Sequence, residues 1–186
     1  MMIRAGRFIV KVATILTLTS ASLVLAPISS GIAAAPPATV ESSSPISTDP
    51  LFSSSFKDFN RKMQPLDQYK GKLIVVYFWA TWCAPCRAEV PELIALHEKY
   101  KSRDAVVVGI AVDQADKVEK FAKELGINYP LLVGGNEAID LSKKLGNRIG
   151  GLPFTVIIDR QGNVVAKVLG ETPKGKLEGI LKPLLG

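Results

Sequence analysis

From residue 56 onward the apolar positions follow two periods that take turns along the chain. Residues 73–79 (LIVVYFW) are almost continuously apolar and rich in β-branched and aromatic side chains, which predicts a strand buried on both faces. Residues 105–112 (AVVVGIAV) predict a second such strand. Between them Val90, Leu93, Ile94 and Leu96 recur at helical spacing, with Glu92, Glu98 and Lys99 on the other side, so a helix is expected over 84–99. A second amphipathic helix is expected over 116–125 (Val118, Phe121, Ala122, Leu125), ended by Gly126. A short strand over 129–133 and a helix over 137–145, stopped by Gly146, come next. Strands over 154–159 and 164–169 are joined by the turn-rich Arg160-Gln161-Gly162-Asn163, and a last helix follows Pro173 through Leu184. Ahead of all this, 56–59 and 63–66 flank Asn60-Arg61-Lys62 and predict a β-hairpin. Strands alternating with helices, closed by a terminal hairpin, predict an α/β layer fold with a mixed central sheet flanked by helices.

The first 55 residues read differently. Arg4, Arg7 and Lys11 precede an uncharged run whose apolar part is VATILTLTSASLVLA (12–26); Pro27 and Gly31 then break it before Ala33, Ala34 and Ala35. Basic, apolar, then small is the order of a secretory signal peptide, so residues 1–35 are expected to be a leader cleaved near Ala33 to Ala35. The alternative is an uncleaved anchor, for which the uncharged stretch 12–35 is long enough. Either places the remainder outside the cytoplasm, periplasmic or otherwise extracytoplasmic. Residues 36–55 are more than half Ser and Pro and are expected to be a linker, leaving 56–186 as the folded domain.

Of 186 residues, 47% are hydrophobic and 22% charged, enough for one compact domain and too little for two. The net charge of +6 is uneven. With the three leader cations set aside, residues 36–186 carry 20 basic and 17 acidic groups, an ordinary soluble surface rather than a nucleic-acid footprint. Two cysteines and one histidine exclude a disulfide-dense miniprotein and a Cys/His zinc cage.

Both cysteines lie in Trp82-Cys83-Ala84-Pro85-Cys86, directly after a predicted buried strand and at the start of a predicted helix. At that helix N-terminus, unsatisfied N–H groups and the helix dipole favour a thiolate on Cys83, the attacking form of sulfur. Cys86, one turn on, is placed to close a disulfide after Cys83 has attacked a substrate. Pro85 has no N–H to lose in the first turn, and Trp82 is a flat apolar neighbour that could shield the pair. A purely structural bridge would close a loop of four residues, worth only about 2 kcal/mol, so a scaffold would gain more from distant partners. A metal site would need more than two Cys and His97, which falls well along the helix. Redox exchange is the chemistry that this spacing favours.

The segment FWATWCAPCRAEVPEL resembles the active site of thioredoxin-like proteins, specifically the TlpA/ResA group of extracytoplasmic thiol-disulfide oxidoreductases. The resemblance extends from about Phe56 to the C-terminus. It includes Trp79, Pro91, Gly151-Leu152-Pro153-Phe154-Thr155, Asp159-Arg160-Gln161-Gly162 and Gly170. It implies a thioredoxin-like fold with an N-terminal β-hairpin and a helix-strand insertion over 116–133. It implies Cys83 and Cys86 as the exchanging pair and no bound cofactor. It implies a cis Pro153 that exposes the Leu152 backbone to an extended client segment. Trp82, Pro85, Leu152 and Pro153 would then form the substrate-binding surface. Glu89, three residues after Cys86, matches a glutamate of ResA-like members and is expected to tune the cysteines or handle a proton for Cys86; a solvated first-turn acid is the alternative. Two positions depart from the pattern. Tyr77 stands where cytoplasmic thioredoxins have a buried Asp, and Arg61 stands in the hairpin turn where Gly is frequent. The resemblance further implies a monomer acting on client proteins with disulfides, such as apocytochromes c, and re-reduced by a membrane electron donor of the disulfide-bond-D or CcdA type. A disulfide-forming oxidant, a copper-delivery chaperone and a non-catalytic binding module remain open alternatives on the residues alone.

Overall fold

The strand with seven consecutive buried residues, Leu73–Trp79 (β3), lies near the middle of the sheet in a computed structural model that describes residues 46–185. All described residues belong to one unit, Glu41–Gly186. The leader or anchor expected over 1–35 lies outside the described residues, as does the first half of the expected linker, 36–45.

The elements in chain order are α1 (Asp49–Phe52), β1 (Ser55–Lys57), β2 (Met63–Pro65), β3, α2 (Ala84–Tyr100), β4 (Ala105–Ala111), α3 (Ala115–Leu125), β5 (Leu131–Val133), α4 (Gly135–Lys144), β6 (Phe154–Ile158), β7 (Val164–Leu169) and α5 (Lys176–Leu181). The seven strands form one mixed sheet in the order β2-β1-β5-β4-β3-β6-β7. β3 runs parallel to β4 and antiparallel to β6. The expected hairpin is present, with Phe56 opposite Gln64.

Because side chains alternate along a strand, β3 feeds two cores. Leu73, Val75, Tyr77 and Trp79 pack in one layer with Val90, Leu93 and Leu96 of α2, Val118 and Phe121 of α3, and Leu177 and Leu181 of α5. Ile74, Val76 and Phe78 pack in the other with Leu51 of α1 and Ala138 and Leu141 of α4. Burial on both faces explains why no alternation of polarity is visible in its sequence. β7, at the sheet edge, alternates half-buried with exposed positions, as a strand with one solvated face should.

The structure corrects the linker boundary. Residues 46–55 are not linker: Thr48-Asp49-Pro50 opens α1, Leu51 is 1% exposed, and the Thr48 hydroxyl donates to the Gly162 carbonyl at 2.8 Å. Averaged Ser/Pro content concealed a local signal, a Pro within the first helical turn followed by Leu51 and Phe52. The last helix is also shorter than expected. Only Lys176–Leu181 is α-helical, and the chain tightens into a 3-10 turn over Lys182–Leu184, where Pro183 has no N–H to continue the ladder. In the hairpin turn Arg61 adopts φ 60°, the left-handed region, so this turn has kept its geometry without the glycine. Asp58 holds it there, accepting the Lys62 N–H at 3.0 Å and the Gln64 amide at 2.7 Å.

Candidate functional site

The loop after β3 is pinned before it reaches the cysteines. The carboxylate of Asp113, just past β4, accepts from the Thr81 N–H (2.9 Å) and the Thr81 hydroxyl (2.6 Å). Burial pushes the Asp113 carboxyl up, but these bonds and the Gln114 N–H outweigh it and hold the group below its ordinary value. The chain then turns, with Cys83 N–H donating to the Ala80 carbonyl at 3.2 Å. Cys83 is the N-cap of α2, in extended conformation (φ −87°, ψ 105°), and its Sγ accepts the Cys86 N–H at 3.3 Å. A sulfur therefore occupies the place where a Ser or Asp oxygen commonly caps a helix. Any negative charge that develops on it faces the Cys86 N–H and the positive end of the helix dipole. Cys83 and Cys86 form a disulfide, their Cα atoms 5.2 Å apart. Cys83 retains 6% exposure and Cys86 none, so an external sulfur meets Cys83 first. Pro85 lies in the first turn, as expected. Trp82 is 67% exposed and stands out in solvent rather than folding down as a cover.

The second half of the site comes from the loop before β6. The Leu152–Pro153 bond is cis. In the β3–β6 ladder Phe154 pairs with Phe78, which puts Pro153 at the same end of the sheet as the loop that follows Trp79 and carries the cysteines. The loop is held from beneath by Asn147, 1% exposed, a residue that sequence reasoning missed. Its amide donates to the Gly151 carbonyl (2.9 Å) and to the Ser142 hydroxyl (3.1 Å), and its oxygen accepts the Gly151 N–H (3.1 Å). A polar residue just past a helix-stopping glycine was the available signal. On the far side, the Gly170 N–H donates to the Pro153 carbonyl at 2.8 Å.

Glu89 is not a solvated acid. It is 7% exposed and sits beneath a cleft of about 640 Å³ between α2 and the segment 171–178. One carboxylate oxygen accepts the Thr172 N–H; the other has no hydrogen-bond partner among the described residues. Tyr77, fully buried, donates its hydroxyl to the Cys86 carbonyl at 2.9 Å. Burial first, and the neighbouring Glu89 second, push the phenols of Tyr77 and Tyr129 well above their ordinary value.

His97 packs edge-on against Tyr129 at 6.2 Å between ring centres, and its Nδ1 accepts the Val107 N–H at 3.3 Å. It is a packing residue that joins α2 to β4. Burial and then Lys101 lower its pKa, against an opposing pull from Glu98. The unfolded chain therefore binds the imidazole proton more tightly than the folded one. The stability His97 contributes is complete above the unfolded value of 6.5 and is lost as pH falls through the window below it. Urea midpoints at pH 7.5 and pH 5 should show a smaller acid-side loss in His97→Gln than in the parent. An equal loss in both would remove His97 from the account.

The comparisons with known proteins agree with this geometry. The AhpC/TSA family profile matches residues 49–167. The thiol-disulfide oxidoreductase ResA of Bacillus thuringiensis (strain Al Hakam) is 35% identical over 130 residues, covering 68% of this chain and 72% of the relative. ResA of Geobacillus kaustophilus is 30% identical over 120 residues, covering 64% and 67%. Among solved structures, a thiol:disulfide interchange protein of the thioredoxin family from Chlorobium tepidum TLS superposes with a TM-score of 0.67 at 33% identity, covering 77% of this chain and 99% of its own. A DsbF homologue from Corynebacterium diphtheriae gives 0.63 at 26%, covering 73% and 86%. A cysteine pair at a helix N-terminus, a cis-proline loop at the same end of the sheet and these relatives lead to one assignment: the chain has the thioredoxin-like fold and belongs to the AhpC/TSA family, among the ResA-type thiol-disulfide oxidoreductases that act on disulfide-containing client proteins.

Proposed function

We propose that this oxidoreductase works outside the cytoplasm as a reductase of client disulfides, with apocytochrome c as the client class implied by its resemblance to the TlpA/ResA group. The observation that carries the reading is the asymmetry of the pair: Cys83 caps α2 and retains exposure, while Cys86 is wholly buried behind it. In the reduced protein, Cys83 thiolate attacks one sulfur of the client disulfide. A mixed disulfide forms and the other client sulfur leaves as a thiolate. Cys86 then loses its proton and attacks Cys83 Sγ. The Cys83–Cys86 bond forms, the second client sulfur leaves, and two electrons have passed from the dithiol to the client. Trp82, Pro85, Leu152 and Pro153 receive the client segment, the Leu152 backbone pairing with it as an added strand. Glu89, buried one turn beyond Cys86, takes the Cys86 proton.

The sequence holds no third cysteine, so the oxidised pair is re-reduced by another protein, a membrane electron donor of the disulfide-bond-D or CcdA type. The charge and apolar order of residues 1–35 supports an extracytoplasmic location by leader or anchor. The direction is tested by equilibrating the pair against glutathione and assaying catalysed insulin reduction. A reductase should lie nearer the roughly −270 mV of thioredoxin than the roughly −120 mV of a strong oxidant, and should accelerate insulin reduction. A potential near the oxidant value with rapid oxidation of reduced clients would reverse the assignment of direction.

A further inference from the structure

Two apolar side chains beside the cis-proline loop are left in solvent: Ile149 is 79% exposed and Leu169 47%. Leu169 stands opposite Phe154, the residue after Pro153, in the β6–β7 ladder, and the Gly170 N–H that follows it bonds the Pro153 carbonyl. Both side chains close on Gly151. A Cβ at that glycine would lie 3.2 Å from Leu169 Cδ1 and 3.5 Å from Ile149 Cδ1. A glycine there leaves a shallow apolar notch with Ile149 and Leu169 as its walls. Phe154 belongs to the layer of α4, and directly opposed residues share a face, so the notch lies on that side of the sheet. Leu152, next in the chain, packs against both core layers. The loop therefore crosses the end of the sheet, from the notch toward the layer that holds the cysteines.

The rim of the notch is basic. A Cβ at Gly150 would lie 3.5 Å from Lys143 Cε, and one at Gly146 would lie 3.0 Å from Lys167 Cδ and Nζ. Arg148 is exposed between these two glycines in the chain. Lys167 and Leu169, two apart on β7, share a face. Lys143 is engaged with Asp140 at 3.6 Å, whereas Arg148 and Lys167 have no hydrogen-bond or ion-pair partner among the described residues. Glu171, two residues past Leu169, lines the cleft beside α2 instead.

We propose that this notch is a specificity subsite for the client: Ile149 and Leu169 take an apolar side chain close to the client cysteine, and Arg148 and Lys167 take an acidic side chain of the same segment. This rests on the reading that the client adds as a strand to the Leu152 backbone. A strand laid along the loop advances about 3.3 Å per residue. Gly151 adjoins Leu152, so a client segment that pairs there passes over the notch within about two residues. A leucine side chain set between the walls takes apolar surface on three side chains out of water at once. An acid beside it meets two cations without a competing partner, and a lysine in its place meets like charge. Basic or wholly polar flanks are thereby disfavoured, and the subsite discriminates among clients that expose the same disulfide.

The test uses the reduced protein and short peptides of the pattern Glu-Leu-Cys-Leu-Glu, blocked at both ends, with the cysteine joined to thionitrobenzoate. Cys83 attacks the peptide sulfur, the Cys83–peptide disulfide forms, and thionitrobenzoate leaves as its coloured thiolate. Each rate is divided by the same protein's rate with Ellman's reagent, which cancels any change in the reactivity of Cys83. The parent should take this peptide about tenfold faster than one with Lys for Glu at low salt, and about fivefold faster than one with Ser for Leu. The Arg148→Gln, Lys167→Gln double variant should bring the first ratio to about twofold or less and leave the second. Ile149→Ser should do the reverse. A charge preference that survives the double variant belongs to the net charge of the chain and overturns the rim. A leucine preference that survives Ile149→Ser overturns the notch. A fourth peptide, N-methylated on both sides of the cysteine, is unable to add as a strand. If it alone is slow while the other three react alike, strand addition stands and the subsite falls. If all four react alike, strand addition falls as well. Relative rates that drop as protein concentration rises mean that a second copy fills the notch, and the client assignment is overturned.

Discussion

Cys83→Ser reduces catalysed insulin reduction to background, a loss of at least roughly a thousandfold, as expected when a nucleophile is deleted. Cys86→Ser also stops turnover, but leaves the protein joined to its client. The two outcomes follow from position. Cys83 is the sulfur with residual exposure and with the Cys86 N–H and the helix dipole directed at it, so it makes the first bond. Cys86 has no exposed surface and reaches only Cys83, so its one task is to break that bond. With Cys86 removed, the mixed disulfide has no internal exit. It should appear on non-reducing gels as an adduct that thiol reductant dissolves, and as a mass equal to protein plus client. The converse pattern, adducts through Cys86 in Cys83→Ser, would exchange the roles assigned here. Neither substitution should unfold the protein. The disulfide spans a loop of four residues, and its loss costs only about 2 kcal/mol on chain entropy, while the helix that carries both cysteines is anchored by Val90, Leu93 and Leu96.

The cysteine pair and the sheet were legible in sequence because each rests on a local signal. β3 spells its own burial, and its observed limits match the apolar run Leu73–Trp79 residue for residue. Helix α3 was likewise visible from Val118, Phe121 and Ala122 and from the glycine that ends it; Gly126 adopts φ 63°, the left-handed cap that glycine supplies at least cost. The start of the domain was not legible. α1 is four residues long, too short to display a period, and Leu51 is buried in a layer that includes Leu66 and, far along the chain, Ala138 and Leu141 of α4. For Glu89 the sequence offered two readings with opposite environments, and helical spacing could not choose. Its burial depends on segment 171–178 folding back over α2, a contact between residues some eighty positions apart. Tyr77 was visible only as the absence of an acid. That its hydroxyl reaches the Cys86 carbonyl depends on how far α2 stands from the sheet, which no local pattern encodes.

Asn147→Ala should weaken both the fold and the handling of protein clients, although Asn147 lies outside every motif. Alanine leaves the part-buried Gly151 N–H and carbonyl without the partners they now have and takes one of its two bonds from the Ser142 hydroxyl, which still donates to the Ile139 carbonyl. Leaving buried polar groups unpaired costs about 1–3 kcal/mol each, partly offset where the loop relaxes toward water, so a net loss of about 2–4 kcal/mol in urea unfolding is expected. The functional effect should be selective. Gly151 is two residues before Pro153, so losing its anchors frees the Leu152 backbone while the N-cap of α2, on a different element, keeps its geometry. Attack of Cys83 on a small reagent such as Ellman's should stay within about twofold of the parent. Reduction of a protein disulfide, which needs the client segment aligned along the loop, should fall about tenfold in kcat/KM, chiefly through KM, because what is lost is uniform binding of the client rather than reactivity of the sulfur. Equal losses toward small and protein disulfides would mean that Asn147 supports the fold as a whole and has no particular hold on the client surface.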